Sequence, residues 1–221
     1  MSLVNSSFED AREQMVEQQI RTWEVLDPAV LAVLRKIRRE AFVPPGFSGL
    51  AFADAPIPLG HGEVMLPPKV DGRILQALDL KPTDDVLDVG SGSGFLAACM
   101  SRLAARVRSV EIHPDFVERA RRNVLGVAAN NVVVEPGDAM QLTDRNLYDA
   151  IAVSSSLPVY DARFEQALKP GGRLFIVVGE DPVMEAWRVT RTGPSEWSRV
   201  SLFETSIPPL VNARHPSRFV F

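Results

Sequence analysis

The segment 88–94, Asp-Val-Gly-Ser-Gly-Ser-Gly, has the clearest capacity for chemistry in this sequence. It follows the apolar pair Val86 and Leu87, and an apolar helical pattern begins at Phe95. Glycines between a strand and a helix let the backbone turn sharply and let a ligand approach the peptide groups closely. The first turn of the helix also offers free N–H donors to an anionic group. The segment therefore predicts a ligand site built largely from backbone.

The spacing of these glycines distinguishes three kinds of nucleotide site. A phosphate-binding P-loop ends in Gly-Lys-Ser/Thr, whereas Gly94 is followed by Phe95 and Leu96, which excludes it. A pyridine-dinucleotide site, as in an oxidoreductase, requires a third glycine at the position of Phe95, so that interpretation is disfavoured. The pattern that remains is acidic-x-Gly-x-Gly-x-Gly, with Asp88 two residues before Gly90.

Two further acids follow the next predicted strands. Glu111 lies 21 positions after Gly90, where a carboxylate can accept hydrogen bonds from both hydroxyls of a ribose. Gly137 and Asp138 follow the third strand; Asp138 is a candidate acceptor for an adenine amino group, although a Gly-Asp pair is also a common turn. We expect these groups to meet at the carboxyl edge of a parallel sheet. Three scattered histidines predict no metal site.

The elements that position these residues begin near residue 69, where helical and β patterns alternate. We predict helices over 69–80, 95–104 and 114–125 and strands over 85–89, 107–112, 131–134, 150–153 and 174–178. The segments 187–191 and 197–203, on either side of Thr192-Gly193-Pro194, predict a closing antiparallel hairpin. This order predicts an α/β fold with a doubly wound, mostly parallel seven-stranded sheet and helices on both faces.

The first third of the chain has a different character. We predict a helix that opens near Ser7 and a second one capped by Asp27 with Pro28 in its first turn. The stretch 43–68 contains six prolines and four glycines, so regular structure is hard to sustain there. It is expected to be a functional loop, a rigid wrap over the core, or both. Residues 1–80 thus form an N-terminal helical and loop extension packed on a core of residues 81–221, within one structural domain.

Composition limits the classes of function. The chain has 221 residues, of which 46% are hydrophobic, an ordinary value for a globular protein. Its formal net charge of −4 argues against a dedicated nucleic-acid binder. The sequence has no apolar run long enough to predict a membrane span, and its N-terminus does not resemble a secretory signal. The single cysteine, Cys99, excludes an internal disulfide and a cysteine-based zinc site. We expect a cytoplasmic protein, and the sequence does not fix its oligomeric state.

The order of these motifs resembles the class I S-adenosylmethionine-dependent methyltransferases. The residues that carry this resemblance are 88–94, Glu111, Gly137, Asp138 and 149–153. A narrower resemblance, over about residues 12–210, is to the protein-L-isoaspartate O-methyltransferases. It rests on the segments 15–20, 30–31, 42–44, 54–62 and 171–174. The most particular of these is Pro-Ile-Pro-Leu-Gly-His-Gly at 56–62.

The resemblance implies a Rossmann-like methyltransferase fold, with S-adenosyl-L-methionine as cofactor and S-adenosyl-L-homocysteine as product. The implied acceptor is a carboxylate of altered aspartyl residues in a protein or peptide, with no role for nucleic acid or membrane. The implied cofactor-binding residues are Asp88, Gly90, Ser91, Gly92, Gly94, Glu111, Ile112, Gly137, Asp138, Ala139 and Ser154. The implied substrate-binding residues are Pro58, Gly60, His61, Leu66 and Ser155.

One departure from the family pattern falls in the substrate loop. Where the family reads Gln-Thr-Ile-Ser-Gln-Pro, residues 63–68 read Glu-Val-Met-Leu-Pro-Pro, and Leu66 replaces the serine that lies beside the substrate carboxylate. Residues 154–156 are all serine, where the family commonly has a threonine and alanines. A carboxylate nucleophile needs no general base, because with a pKa of about 4 it is ionised at neutral pH. We therefore assign no catalytic residue.

Two hypotheses remain open from the sequence. The first is a methyltransferase with weakened isoaspartyl activity or a shifted acceptor. The second is a relative that kept the cofactor cleft without turnover and serves as an adaptor or sensor.

Overall fold

The computed structural model describes residues 2–216 and places one seven-stranded sheet at the centre of the chain. Its strands are β3 (Asp85–Val89), β4 (Arg106–Glu111), β5 (Val132–Pro136), β6 (Tyr148–Leu157), β7 (Leu168–Glu180), β8 (Val183–Gly193) and β9 (Glu196–Thr205). Their order across the sheet is β5-β4-β3-β6-β7-β8-β9. The first five strands in this order run parallel, and β8 and β9 close the sheet as an antiparallel hairpin. The predicted sheet is confirmed.

Helices cover the two faces of this sheet unequally. The helices are α1 (Ser2–Met15), α2 (Pro28–Lys36), α3 (Pro68–Leu78), α4 (Phe95–Met100), α5 (Pro114–Gly126) and α6 (Arg163–Ala167). Side chains alternate along a strand, so Val86 packs with the helices α1 to α5, whereas Leu87 packs on the opposite face with α6. The extension up to residue 80 shares the larger of these two cores. A domain boundary at residue 80 stays a prediction. No helix within residues 2–216 has the length and apolar character needed to cross a membrane.

Several predicted boundaries were wrong for local reasons. The helix predicted over 95–104 ends at Met100, where the Ser101 hydroxyl donates to the Ala98 carbonyl oxygen at 2.6 Å and the chain tightens into successive turns. The first helix begins at Ser2, so Ser7 lies inside it and is not its cap. By contrast, the Asp27 carboxylate accepts from the Ala29 N–H at 2.7 Å, which confirms the predicted cap of α2.

The stretch 43–68 contains regular structure that the prolines and glycines concealed. Strands β1 (Ile57–Gly60) and β2 (Glu63–Met65) form a separate antiparallel hairpin. The two residues that connect them, His61 and Gly62, have φ angles of +53° and +83°, as a tight hairpin turn requires. Proline is tolerated in such a two-stranded unit because an outward-facing N–H is not needed for pairing. The expectation of a wholly irregular loop was therefore wrong for this hairpin.

A buried arginine connects this hairpin to the helices. Arg39 is fully buried, and its guanidinium donates to the Asp71 carboxylate at 2.6 Å and to the backbone oxygens of Ala51 and Leu66. The guanidinium also lies 4.8 Å from the centre of the Phe95 ring. Burial outweighs the attraction of Arg39 and raises the pKa of Asp71 to about 6, so the carboxyl group is ionised at pH 7. One cation thus holds together three segments of the chain.

A chain of hydrogen bonds supports the glycine turn from below. The Ser109 hydroxyl donates to the Asp88 carboxylate at 2.6 Å, and the Ser91 hydroxyl donates in turn to the Ser109 oxygen, also at 2.6 Å. Asp88 is buried, and its Oδ1 atom has no hydrogen-bond partner within residues 2–216. Burial therefore raises the pKa of Asp88 to about 7, with Glu111 and Asp71 adding to the effect and the Ser109 hydrogen bond opposing it.

We expect Arg39→Met to lower the free energy of unfolding by about 3–5 kcal/mol, because it leaves the Asp71 carboxyl group buried without a partner. The matched control is Arg35→Met, which removes a partly exposed arginine paired with Glu13 and Glu17 and should cost about 1 kcal/mol or less. Urea unfolding at pH 7 measures both. Equal losses in the two variants would contradict the structural role of Arg39.

We expect the stability of the protein to fall as pH rises from about 4 to 7, in part because the folded chain retains an Asp88 proton that the unfolded chain has lost. Asp88→Asn should remove that part of the slope, which is at most about 1.4 kcal/mol per pH unit. Urea titrations of both proteins at a series of pH values test this. Identical slopes would show that burial does not hold Asp88 protonated.

Candidate functional site

A cavity open to solvent lies at the carboxyl edge of the sheet, beneath the β1–β2 hairpin, and holds about 590 Å³ of space including part of that solvent. Its lining combines glycine backbone, two glutamates and apolar side chains, a mixture typical of a small-molecule site. The lining residues are Leu59, Glu63, Val64, Val89, Gly90, Gly92, Val110, Glu111, Ile112, His113, Phe116, Gly137, Asp138, Ala139, Ser154, Ser155, Pro208, Leu210 and Val211. We call this cavity the larger lobe.

A second cavity of about 310 Å³ adjoins it across the glycine turn, and we call this the smaller lobe. The two lobes share Leu59, Val64, Gly90, Gly92 and Ser154 as walls. The other walls of the smaller lobe are Met65, Leu66, Asp71, Ser91, Ser93, Phe95 and Leu96. Both lobes therefore belong to one bent cleft, with the glycine turn at the bend.

The backbone at the bend is exposed to a ligand because Gly90 has no side chain. Its φ angle is +88°, and an added Cβ would lie 2.9 Å from the Ser154 hydroxyl oxygen. The single proton of that hydroxyl is already shared between the carbonyl oxygens of Val89 and Gly90, so the hydroxyl fixes the turn and is not free to donate to a ligand. The third glycine, Gly94, packs against Ala120 of α5 instead, so it shapes the turn without lining the cleft.

Glu111 is buried at the end of β4 and faces the larger lobe. Its two oxygens accept from the Gly92 N–H at 2.9 Å and the His113 N–H at 3.0 Å. Each carboxylate oxygen can accept more than one hydrogen bond, so lone pairs remain for a ligand diol. The same two backbone bonds fix the orientation of the carboxylate.

Asp138 lines the larger lobe, and its carboxylate also accepts hydrogen bonds from other parts of the protein. It accepts from the Met140 N–H at 2.8 Å, from the Gln141 amide at 3.1 Å and from the Asn212 amide at 3.1 Å. Asn212 follows the C-terminal wall residues of the lobe, and Ser156 anchors the same segment through its N–H and hydroxyl. Asp138 therefore connects β5 to the segment that roofs the cavity.

His61 lies at the tip of the hairpin, outside both lobes. Its ring stacks on that of His113, with centres 4.2 Å apart, and its Nε2 atom lies 3.1 Å from the Asp115 carboxylate. Phe116 packs edge-on against both rings. This contact holds the hairpin against the start of α5. His113 itself lines the larger lobe, and its Nε2 atom is buried without a hydrogen-bond partner within residues 2–216.

The structure brings most of the candidate residues from the sequence to this cleft. Those in the larger lobe are Gly90, Gly92, Glu111, Ile112, Gly137, Asp138, Ala139, Ser154 and Ser155, and those in the smaller lobe are Ser91, Leu66 and again Gly90, Gly92 and Ser154. Five candidates line neither lobe: Asp88, Gly94, Pro58, Gly60 and His61. Asp88 is buried under the turn and Gly94 packs against α5, so neither faces the cleft. Pro58, Gly60 and His61 are exposed on the hairpin, and their contact with a peptide substrate stays a prediction.

Several wall residues were not among the candidate site residues from the sequence. Leu59, Glu63 and Val64 come from the hairpin that was not predicted, and Phe116 belongs to the first turn of α5. Pro208, Leu210 and Val211 come from the C-terminal segment, which no motif singled out. The alternating apolar residues Ile57 and Leu59, followed by the His-Gly pair, were the available signal for the hairpin. The C-terminal residues reach the lobe only through long-range pairing of Pro209 with Ser156, which no local pattern reveals.

The donor set fits a nucleoside-like ligand better than a metal ion. Exposed glycine backbone, a fixed carboxylate and flat apolar walls suit a ribose and an aromatic base. Within residues 2–216, no three His, Cys, Asp or Glu side chains are grouped so that they could hold a metal ion.

Comparison with solved structures identifies the fold. The crystal structure of a Plasmodium falciparum beta-aspartate methyltransferase in complex with S-adenosyl-L-homocysteine matches with a TM-score of 0.80, covering 90% of this chain and 97% of that one. The two sequences are 21% identical, so this likeness concerns the fold. It confirms the Rossmann-like methyltransferase architecture that the resemblance implies.

Sequence comparison identifies the family. The family model described as protein-L-isoaspartate(D-aspartate) O-methyltransferase matches residues 10–214. The protein-L-isoaspartate O-methyltransferase 2 of Pelobacter propionicus is 36% identical over 214 residues, which cover 96% of this chain and 94% of that protein. The protein-L-isoaspartate O-methyltransferase of Methanoculleus marisnigri is 39% identical over 169 residues, which cover 76% of this chain and 77% of that protein. The chain therefore belongs to the protein-L-isoaspartate O-methyltransferase family of S-adenosylmethionine-dependent methyltransferases.

Proposed function

We propose that the bent cleft binds S-adenosyl-L-methionine, with the adenosine in the larger lobe and the methionine portion directed across the glycine turn. The observation that carries this proposal is the pairing of exposed Gly90 backbone with the fixed Glu111 carboxylate in a single cavity. In this arrangement Glu111 accepts from the ribose hydroxyls. The walls formed by Ile112 and Ala139 suit the adenine ring, which is flat and largely apolar.

The residues of the chain orient the reactants and do not act as an acid or a base. The bound cofactor supplies an activated methyl group on a positively charged sulfur. A carboxylate acceptor is already ionised at pH 7, so no general base is required beside it. The cleft aligns the two reactants and excludes water, and well-oriented reactants can gain about 7–11 kcal/mol in this way. The hairpin over the glycine turn is suited to both tasks.

We propose that the acceptor is the free carboxylate of an isoaspartyl residue in a cytoplasmic protein or peptide, and that it enters through the smaller lobe. Val64 and Leu66 present aliphatic groups there, where the family pattern has two hydroxyls. The Ser154 hydroxyl does not compensate, because it already donates to two backbone oxygens. We therefore expect slow isoaspartyl methylation. The same two substitutions favour the second candidate function, a cofactor-binding relative without turnover.

Incubation with methyl-labelled S-adenosylmethionine and an isoaspartyl peptide, beside its aspartyl control, separates the two candidates. Label in the isoaspartyl peptide alone supports the enzyme. Cofactor binding by calorimetry with no label in either peptide supports the relative without turnover.

We expect Glu111→Gln to weaken binding of S-adenosylhomocysteine by roughly ten- to a hundredfold, because hydrogen bonds to a charged group are worth about 1.5–3 kcal/mol. The matched control is Glu118→Gln, which removes an exposed carboxylate on α5 outside the cleft. Calorimetric titration measures both affinities, and the thermal midpoint shows that each variant is folded. Unchanged affinity in Glu111→Gln would place the ribose elsewhere.

We expect Leu66→Ser to raise isoaspartyl methylation by roughly ten- to a hundredfold, since a hydroxyl beside a carboxylate restores one charge-assisted hydrogen bond. Leu66→Ala is the matched control, because it opens the same space without adding a donor. The measurement is the initial rate with an isoaspartyl peptide at saturating cofactor. A rate for Leu66→Ser no higher than that for wild type and Leu66→Ala would refute the assigned role of this position.

A further inference from the structure

The cleft is lined by acids and lacks a matching cation. Four carboxyl groups, those of Glu63, Glu111, Asp138 and Asp71, line its lobes, and no lysine or arginine does so among the described residues. Asp71 is paired with Arg39, Asp138 accepts three hydrogen bonds, and Glu111 accepts two backbone N–H groups. Glu63 differs from these three, because no described residue donates a hydrogen bond to its side chain. Its negative charge is therefore available to interact with a ligand.

The position of Glu63 is well defined. It is the first residue of β2, pairs with Gly60 across the hairpin, and is half-buried at the wall of the larger lobe. Burial and the nearby charge of Glu111 raise its pKa, and His61 opposes the effect. The surrounding elements contribute few other charges. They are His113 and Asp115 at the start of α5, and Arg119, which lies over the Phe116 ring 4.1 Å from its centre and does not line the cavity.

A half-buried carboxylate that receives no hydrogen bond from the protein can interact with a positive charge that a ligand brings into the cleft, and partial burial strengthens that attraction relative to bulk water. S-adenosylmethionine carries such a charge on sulfur. Methyl transfer breaks the bond from sulfur to the methyl carbon, and the acceptor oxygen forms the new bond to that carbon. The bonding electron pair stays on sulfur, which becomes a neutral thioether. Cofactor and product therefore differ by one positive charge, and a free carboxylate attracts that charge.

Resting on the function proposed above, we propose that Glu63 is a specificity-determining residue that favours the cationic cofactor over its neutral product. Its charge, at the wall of the larger lobe, attracts the sulfonium that joins the adenosine in that lobe to the methionine portion across the glycine turn. The same charge is indifferent to the neutral thioether, while Glu111 and the glycine turn bind the parts that the two molecules share. Product inhibition is weakened as a result. The family pattern has glutamine at this position, and Glu63→Gln removes the charge with little change of shape.

The test compares the affinities of wild type and Glu63→Gln for three ligands by calorimetry at pH 8, well above the ordinary range of a carboxyl pKa. The ligands are S-adenosylmethionine, S-adenosylhomocysteine, and an analogue with an ammonium group in place of the methylsulfonium. We expect Glu63→Gln to weaken binding of both cationic ligands by roughly three- to tenfold and that of the neutral product by less than about twofold. Added salt should reduce the difference between the proteins. Glu118→Gln, an exposed charge change on α5, should leave all three affinities unchanged.

Three outcomes would overturn the proposal. Equal weakening of all three ligands would make Glu63 a shape or hydrogen-bonding residue, and unchanged affinities would make it a bystander. In both cases wild-type binding shows that the proposed function stands. Failure of the wild type to bind any of the ligands would overturn the proposed function and this proposal together.

Discussion

The glycine turn after β3 is the constraint on which the site depends, because its peptide groups must stay exposed and yet hold one shape. Neighbouring strands provide that restraint. The Gly90 N–H donates to the Val110 carbonyl oxygen at 2.9 Å, the Gly92 N–H donates to Glu111 at 2.9 Å, and the Gly94 N–H donates to the Ser91 carbonyl oxygen at 2.7 Å. The N–H groups of Gly90 and Gly92 are thus bound to β4, and that of Gly94 is bound within the turn. A preformed backbone surface avoids the entropic cost of ordering a loop when a ligand binds.

The N-terminal extension matters to the site because it carries the hairpin that covers it. Within this extension, Arg39 connects the segment after α2 to Asp71 of α3 and to the backbone of Leu66, so the smaller lobe is fixed from behind by a buried cation. The hairpin tip is fixed from the other side by the stacked rings of His61 and His113. The hairpin that covers the cleft is therefore held by direct contacts both to the rest of the extension and to the start of α5. Glu63 is half-buried at the wall of the cleft, so a change there alters the chemistry of the cleft, whereas Met65 and Leu66 also pack in the core.

The parts of this arrangement that local sequence encodes were predictable. The glycine spacing at 90–94, the acid at Glu111 and the alternation of apolar strands and helices identified the sheet and its functional edge, and the resemblance named the family. Residues brought in by long-range contacts were missed. Glu63 reaches the cleft because a His-Gly turn folds a proline-rich stretch into a hairpin, and Leu210 reaches it because Ser156 pairs with a distant segment. Asp88 was expected to touch the ligand, but the serine chain beneath the turn places it in the interior.

The most direct measurement is a crystal structure of the full chain grown with S-adenosyl-L-homocysteine. We expect the ribose hydroxyls within hydrogen-bond distance of the Glu111 carboxylate, the adenine between Ile112 and Ala139, and the thioether chain over Gly90 and Gly92. Density for the ligand at another place on the molecule, or a cleft left empty at saturating ligand, would contradict the assignment of this cavity as the cofactor site.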